Sequence, residues 1–219
     1  MADSLFTDAE RERIAAAVGE AETRTSGEIV PYVIARCGRY EVAVWRAASV
    51  GAMAAAGLAL GAAVLYDGWG LGWLYTAWAM ALVMVLGGTT GALATLADPV
   101  RRFFAGTDRM ARRVHRRASQ AFLEEEVFDT RDRTGILLFV SLFEHRIEVF
   151  GDAGVNAKVE PGEWVNVVDV IRAGILRGDL AGGLVDGIQK CGEMLHRQGV
   201  EIRDDDTDEL PDGVRVRDE

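Results

Sequence analysis

Apolar and polar positions follow three rhythms along this chain, and the changes of rhythm mark its parts. Ala47 to Tyr66 gives twenty residues without an Asp, Glu, Lys or Arg, and after Asp67 thirty more run from Gly68 to Ala97. About 20 mostly apolar residues cross a hydrocarbon core of about 30 Å. The pattern therefore predicts two transmembrane helices joined by a short turn over Tyr66-Asp67-Gly68-Trp69-Gly70. Trp45, Tyr66, Trp69, Trp73 and Tyr75 fall near the ends of the runs, where amphipathic rings settle at headgroup level. Gly57 and Gly61, and again Gly87 and Gly91, have the small-xxx-small spacing that lets helix backbones approach.

On either side the rhythm is that of a soluble domain. Thr7-Asp8-Ala9-Glu10 has the form of a capping box, and Ile14, Ala17, Val18 and Ala21 continue one apolar helical face to about Glu22. Thr25-Ser26-Gly27 ends it, and residues 28–35 read as a strand in which Pro31, lacking an N–H, predicts an edge position or a strand start. Met110, Val114, Ala118, Ala121 and Phe122 mark a second helix from Asp108. Gly135 to Leu142 is a nearly continuous apolar run, as in a central strand, and residues 146–150 alternate as its hairpin partner. Pro161 opens a helix carrying Trp164, Val168, Ile171 and Ile175. Asp179 caps the last helix, whose stripe is Leu180, Leu184, Ile188, Cys191 and Leu195. One helix and one strand before the hairpin cannot bury a face alone. The expectation is one α+β domain with a small sheet of three to four strands, interrupted by the membrane hairpin. Its parts are residues 1–43, the hairpin at 44–98, a second part at 99–199, and an acidic tail at 200–219 read as disordered.

Charge adds direction to this picture. The chain has 34 acids against 24 bases, a net −10, which argues against nucleic acid as a partner. Yet Arg101, Arg102, Arg109, Arg112, Arg113, Arg116 and Arg117 cluster after the second apolar run, while the intervening turn has no positive charge. The positive-inside rule then predicts a two-pass protein of the inner membrane with both termini in the cytoplasm. The first residues have neither a basic start nor an apolar stretch, so no cleavable signal is expected. Arg109, Arg112, Arg113, Arg116 and Arg117 recur at helical spacing and form one face. Two readings of that face stand side by side: a contact for anionic lipid or a protein partner, and a solvated determinant of topology. Two cysteines and three isolated histidines give no thiolate or histidine metal centre.

Three short motifs then carry a family resemblance. They are the strand entry Thr25-Ser26-Gly27-Glu28-Ile29, the lead Thr134-Gly135 with a partner strand ending in Gly151-Asp152-Ala153-Gly154, and the closing Arg177-Gly178-Asp179 … Gly183-Leu184 … Gly187-Ile188. In this order they resemble the TPM domain family, the group of TLP18.3, Psb32 and MOLO-1. The resemblance covers about 1–36 and 108–197 and implies a sheet sandwiched by helices. Many members are exported, with their membrane helix outside the domain; here a hairpin is inserted within it. The family's association with calcium points to Asp129, Asp132 and Asp152 as a Ca²⁺ site, since hard cations take oxygens from loop carboxylates. Arg131 and Arg133 lie among these acids and offer the alternative of local ion pairs. The expected function is a binding or assembly module at the membrane surface, with the bilayer, anionic lipids and other membrane proteins as partners. The alternative is a membrane-anchored, metal-dependent phosphatase.

The positive-inside reading is checked by reporter fusions. Fusions at residue 1 and at residue 219 should both report the cytoplasm. An external reading at either end overturns the assignment.

Overall fold

The computed structural model describes residues 5–65, 76–160, 162–200 and 209–219. These residues fall into two units, one of residues 1–37 and 111–219 and one of residues 38–110. The hairpin turn with Tyr66 and Trp69, together with Trp73, Tyr75, Pro161 and the tail acids Asp204, Asp205 and Asp206, lies outside the described residues.

The first unit is built on a four-stranded mixed sheet. Strand β1 (Glu28–Ile34) pairs parallel with β2 (Gly135–Ser141), from Glu28 opposite Gly135 to Ile34 opposite Ser141. Strand β3 (Arg146–Gly151) pairs antiparallel with β2, and β4 (Arg215–Arg217) pairs parallel with β1, giving the order β3-β2-β1-β4. Period-two alternation sends Ile29, Val33, Ile136, Leu138 and Val140 to one face. There they meet α1 (Asp8–Glu22), α7 (Glu163–Leu176) and α8 (Leu180–Arg197) through Ile14, Val18, Ile171, Leu184, Ile188 and Leu195. Val30, Tyr32, Ile34, Leu137 and Phe139 face the other way, onto Val114, Ala118 and Ala121 of α5 (Thr107–Glu124). The domain is therefore α+β, with helices on both faces of a small sheet.

Local chemistry sets the element ends. Thr7 and Glu10 close the capping box of α1, and Asp179 accepts from the Gly182 N–H at 2.7 Å to cap α8. Asp152 accepts from the Ala153 N–H at 2.7 Å and opens the short helix α6 (Ala153–Asn156). Helices α7 and α8 approach through glycine: a Cβ on Gly174 would fall 2.2 Å from the Gly183 Cα. Gly178, at φ +79°, makes the turn between them in a conformation that side chains resist.

The second unit holds α2 (Glu41–Leu65), α3 (Ala77–Ala94) and the short α4 (Asp98–Ala105). Both α2 and α3 are long and apolar enough to cross a membrane. Only 6% of each apolar window is buried by the rest of the described residues. The two helices pack antiparallel through small residues: a Cβ on Gly51 would meet the Gly87 carbonyl oxygen at 2.3 Å, and one on Gly91 the Ala47 oxygen at 2.2 Å. The Gly87–Gly91 spacing thus lies in the seam. Gly57 and Gly61 do not, since a Cβ at either has open space around it.

Two expectations are corrected. Residues 209–219 of the acidic tail are structured: Glu28 accepts from the N–H groups of Glu209 and Leu210, Leu210 is buried, and β4 completes the sheet. Pro31 belongs to an inner strand, not an edge. It is tolerated because β4 covers β1 only over Tyr32–Ile34, leaving the other flank of Pro31 without a ladder.

Deleting residues 209–219 should therefore destabilise the domain by about 1–3 kcal/mol, through lost ladder bonds and a bared sheet edge. Thermal melting of the full-length and shortened chains checks this; equal melting temperatures would return the segment to a passive tail.

Candidate functional site

Residues of the first two motifs gather where β1 and β2 begin, and their contacts there tie the strand ends together. Thr134 Oγ1 donates to the Ser26 carbonyl at 2.6 Å, and the Thr134 N–H donates to Thr130 Oγ1 at 2.9 Å. The Ile29 N–H donates to Glu22 Oε1 at 2.8 Å, tying the strand to α1. Gly135 leaves no room for a side chain, since a Cβ would sit 1.8 Å from the Val127 carbonyl oxygen.

The three aspartates of the expected cation site lie around this end but do not converge. Asp129 and Asp132 are exposed, whereas Asp152 is buried. Arg133 occupies Asp152: its Nε lies 2.6 Å from Oδ2 in an ion pair outside hydrogen-bond alignment, and its Nη2 donates to Oδ1 at 3.1 Å. Oδ1 also caps α6. Among the described residues no three His, Cys, Asp or Glu side chains are placed to hold a metal ion. The carboxylate best placed for a cation is committed to a guanidinium, so these residues do not fit a Ca²⁺ site.

The opposite, carboxyl end of β1 and β2 holds a polar cluster that sequence reasoning missed. Glu144 is buried in the β2–β3 turn and accepts from the Cys37 N–H at 2.9 Å and from the Ser141 hydroxyl. The Cys37 thiol donates to Ser141 Oγ at 3.4 Å, completing a chain of donors that ends on the carboxylate. Burial pushes the Cys37 thiol up to about 12, against a smaller opposing effect of the Ser141 bond. The thiol therefore stays protonated at neutral pH and is a donor in this cluster, not a thiolate nucleophile. Cys191 is likewise pushed up to about 12 by burial in the core. The only available signal was a lone Glu in a predicted turn, and turn acids are ordinarily solvated.

Beside the cluster, Tyr32 stacks on Phe139 with ring centroids 5.3 Å apart. Its hydroxyl accepts from Arg117 Nη2 at 2.7 Å, while Arg117 Nη1 donates to Glu124 at 2.9 Å. Burial raises the phenol above its ordinary value, with Arg117 opposing. A hydrogen bond to Tyr32 in turn raises Arg217, so the phenol links α5 to β4. Glu125 pairs with Arg215 Nε at 3.2 Å and with Arg217 Nη2 at 3.4 Å.

These contacts divide the expected arginine face. Arg117 lies at the margin nearest the apolar side of α5 and is only 18% exposed, spent on Tyr32 and Glu124. Arg112, Arg113 and Arg116 are exposed, and Arg109 is half-buried on the first turn. Away from the strand ends, a cleft of about 410 Å³ between α7 and α8 is lined by Glu163, Asn166, Asp169, Val170, Lys190 and Arg197.

No protein-family model and no curated protein matches the chain. Among solved structures, the NMR structure of the BA42 protein from the psychrophilic bacterium Bizionia argentinensis is similar, with a TM-score of 0.60 at 20% identity. The match covers 99% of this chain and 98% of that chain, and at this identity it concerns the fold alone.

The two thiols set a pH dependence. From an ordinary value of 9.0, both cysteines are raised to about 12. Between these values the unfolded chain releases protons that the native chain keeps, so stability is full below pH about 9 and falls as pH rises toward 12. Melting temperature should decline over this window, and less steeply in Cys37→Ser. An unchanged slope in the variant would remove Cys37 from the account.

Proposed function

We propose that this chain is a membrane-anchored relative of the TPM domain family. Its α+β unit serves as a binding or assembly module at the cytoplasmic surface of the inner membrane. Helices α2 and α3 anchor it as two spans, with both termini in the cytoplasm. The outward arginines of α5 contact anionic headgroups, and other membrane proteins are its further partners.

One observation carries this reading. Arg112 and Arg116 project from α5 on the side away from its buried Val114, Ala118 and Ala121, with Arg113 exposed at the flank, on the helix that directly follows the hairpin and α4. A basic residue near an anionic leaflet contributes about 1 kcal/mol, and the tether keeps this helix close in sequence to the bilayer. Arg117 is left out, because its guanidinium already serves the fold.

Hydrogen exchange on the whole protein in nanodiscs tests the proposal. Backbone protection of residues 107–124 should be greater in discs containing phosphatidylglycerol than in phosphatidylcholine discs at low salt. The difference should shrink at physiological salt, where screening confines the field to about 8 Å. Arg112→Gln, Arg113→Gln and Arg116→Gln together should abolish it. Equal protection in both lipids would leave the arginines as determinants of topology.

A further inference from the structure

The hairpin carries a second cationic feature, on the side that α3 leaves uncovered. Val42, Trp45, Arg46, Ser49 and Val50 recur at i, i+3, i+4, i+7 and i+8 and so form one stripe along the first turns of α2. Ala47, Gly51 and Ala55, which meet α3, lie on the opposite side. The stripe and Phe104 of α4 line an open groove of about 420 Å³. Its walls are mostly apolar yet turned outward: Trp45 is 75% exposed, Val42 44% and Val50 47%. Arg46 is the cation in this lining, and its Nη1 donates to the Phe104 carbonyl at 3.1 Å, holding α4 against α2. That bond uses one of the five N–H donors of a guanidinium. The Ser49 hydroxyl donates back to the Trp45 carbonyl at 2.9 Å, so the guanidinium dominates the polar wall.

We propose that this groove binds one anionic phospholipid, with its phosphodiester paired to Arg46 beside Trp45 and Phe104 and an acyl chain laid along Val50 toward the apolar run of α2. The order of groups fits a lipid. A guanidinium pairs with two phosphate oxygens at once, and a tryptophan beside it sits at headgroup level. The exposed apolar wall then continues along a helix long enough to cross the membrane. Glu41, the acid of the first turn of α2, lies off the stripe. The inference rests on the reading of α2 and α3 as spans, and is independent of the α5 arginines.

The test is native mass spectrometry of the full chain released from membranes with equal phosphatidylglycerol and phosphatidylcholine. A phosphatidylglycerol adduct should be retained with about tenfold preference, equivalent to about 1.4 kcal/mol. Arg46→Gln should remove the preference. Val50→Trp fills the groove while leaving Arg46 and its bond to Phe104 in place, and should remove the adduct even if Arg46→Gln disturbs the hairpin. The triple Gln variant of Arg112, Arg113 and Arg116 should keep it, which separates this site from the surface of the α+β unit. Equal retention of both lipids overturns the proposal, as does displacement of the adduct by millimolar inorganic phosphate, which would make the site one for free anions. Release of the protein from membranes by alkaline carbonate without detergent would instead refute the spans themselves.

Discussion

Strands β1 and β2 lie side by side in parallel, with every residue of both strands buried, and the remainder of the α+β unit is arranged around that pair. Parallel neighbours cannot be joined by a tight turn, so the chain must leave at the carboxyl end of one and return to the amino end of the other. Here the crossover runs from Ala35 to Thr134 and holds the hairpin as well as α5. A connection of that length favours neither register nor closure by proximity. Side-chain ties at both ends supply the constraint. Thr134 reaches the Ser26 carbonyl where the strands begin, and Glu144 holds the Cys37 N–H where β1 has just ended. The buried carboxylate therefore clamps the point at which the chain departs for the hairpin. Its high cost of burial is offset by donors from Cys37 and Ser141.

Much of this was legible in sequence wherever structure depends on near neighbours. The periods of α1, α5 and α8, the caps at Thr7 and Asp179, and the bounds of β1, β2 and β3 all arise from local spacing. Strand β4 was not legible, because Arg215-Val216-Arg217 in an acidic tail has no strand signal of its own. It exists because β1 offers an open ladder and Glu125 pairs both arginines. The same holds for Pro31. Its rule about sheet edges is sound, but the length of the neighbouring strand, not the strand order, decides whether a missing N–H matters.

The candidate sites divide along the same line. Asp129, Asp132 and Asp152 are close in type and in loop position, which is all that sequence can weigh. Asp152 is committed by an arginine nineteen positions earlier and by the first turn of α6. Glu144 gave little signal, since Cys37, just past the end of β1, reaches it only in the fold, although Ser141 is three residues away. Gly57 and Gly61 have the right spacing for helix packing, yet α3 meets α2 on a different side, through Ala47, Gly51 and Ala55.

Arginine illustrates how folding converts one residue type into separate roles. The chain is acidic by ten charges, so an arginine near an available carboxylate is readily drawn into the structure. Arg133, Arg215 and Arg217 are taken up in this way by Asp152 and Glu125, and Arg117 by Glu124 and the Tyr32 hydroxyl. Each of these sits beside a buried or half-buried partner, where a missing charge would leave a desolvated group behind. Arg112 and Arg116 stand one helical position away from that requirement, on the outer side of α5, and are exposed. Arg46 stands among apolar side chains and is held by a carbonyl, and among the described residues no carboxylate pairs with it. In a protein of strongly negative charge, a cation without a carboxylate beside it invites an external anion. At the mouth of an apolar groove on a membrane-length helix, the external anion that also satisfies the surrounding surface is one that carries a hydrocarbon chain.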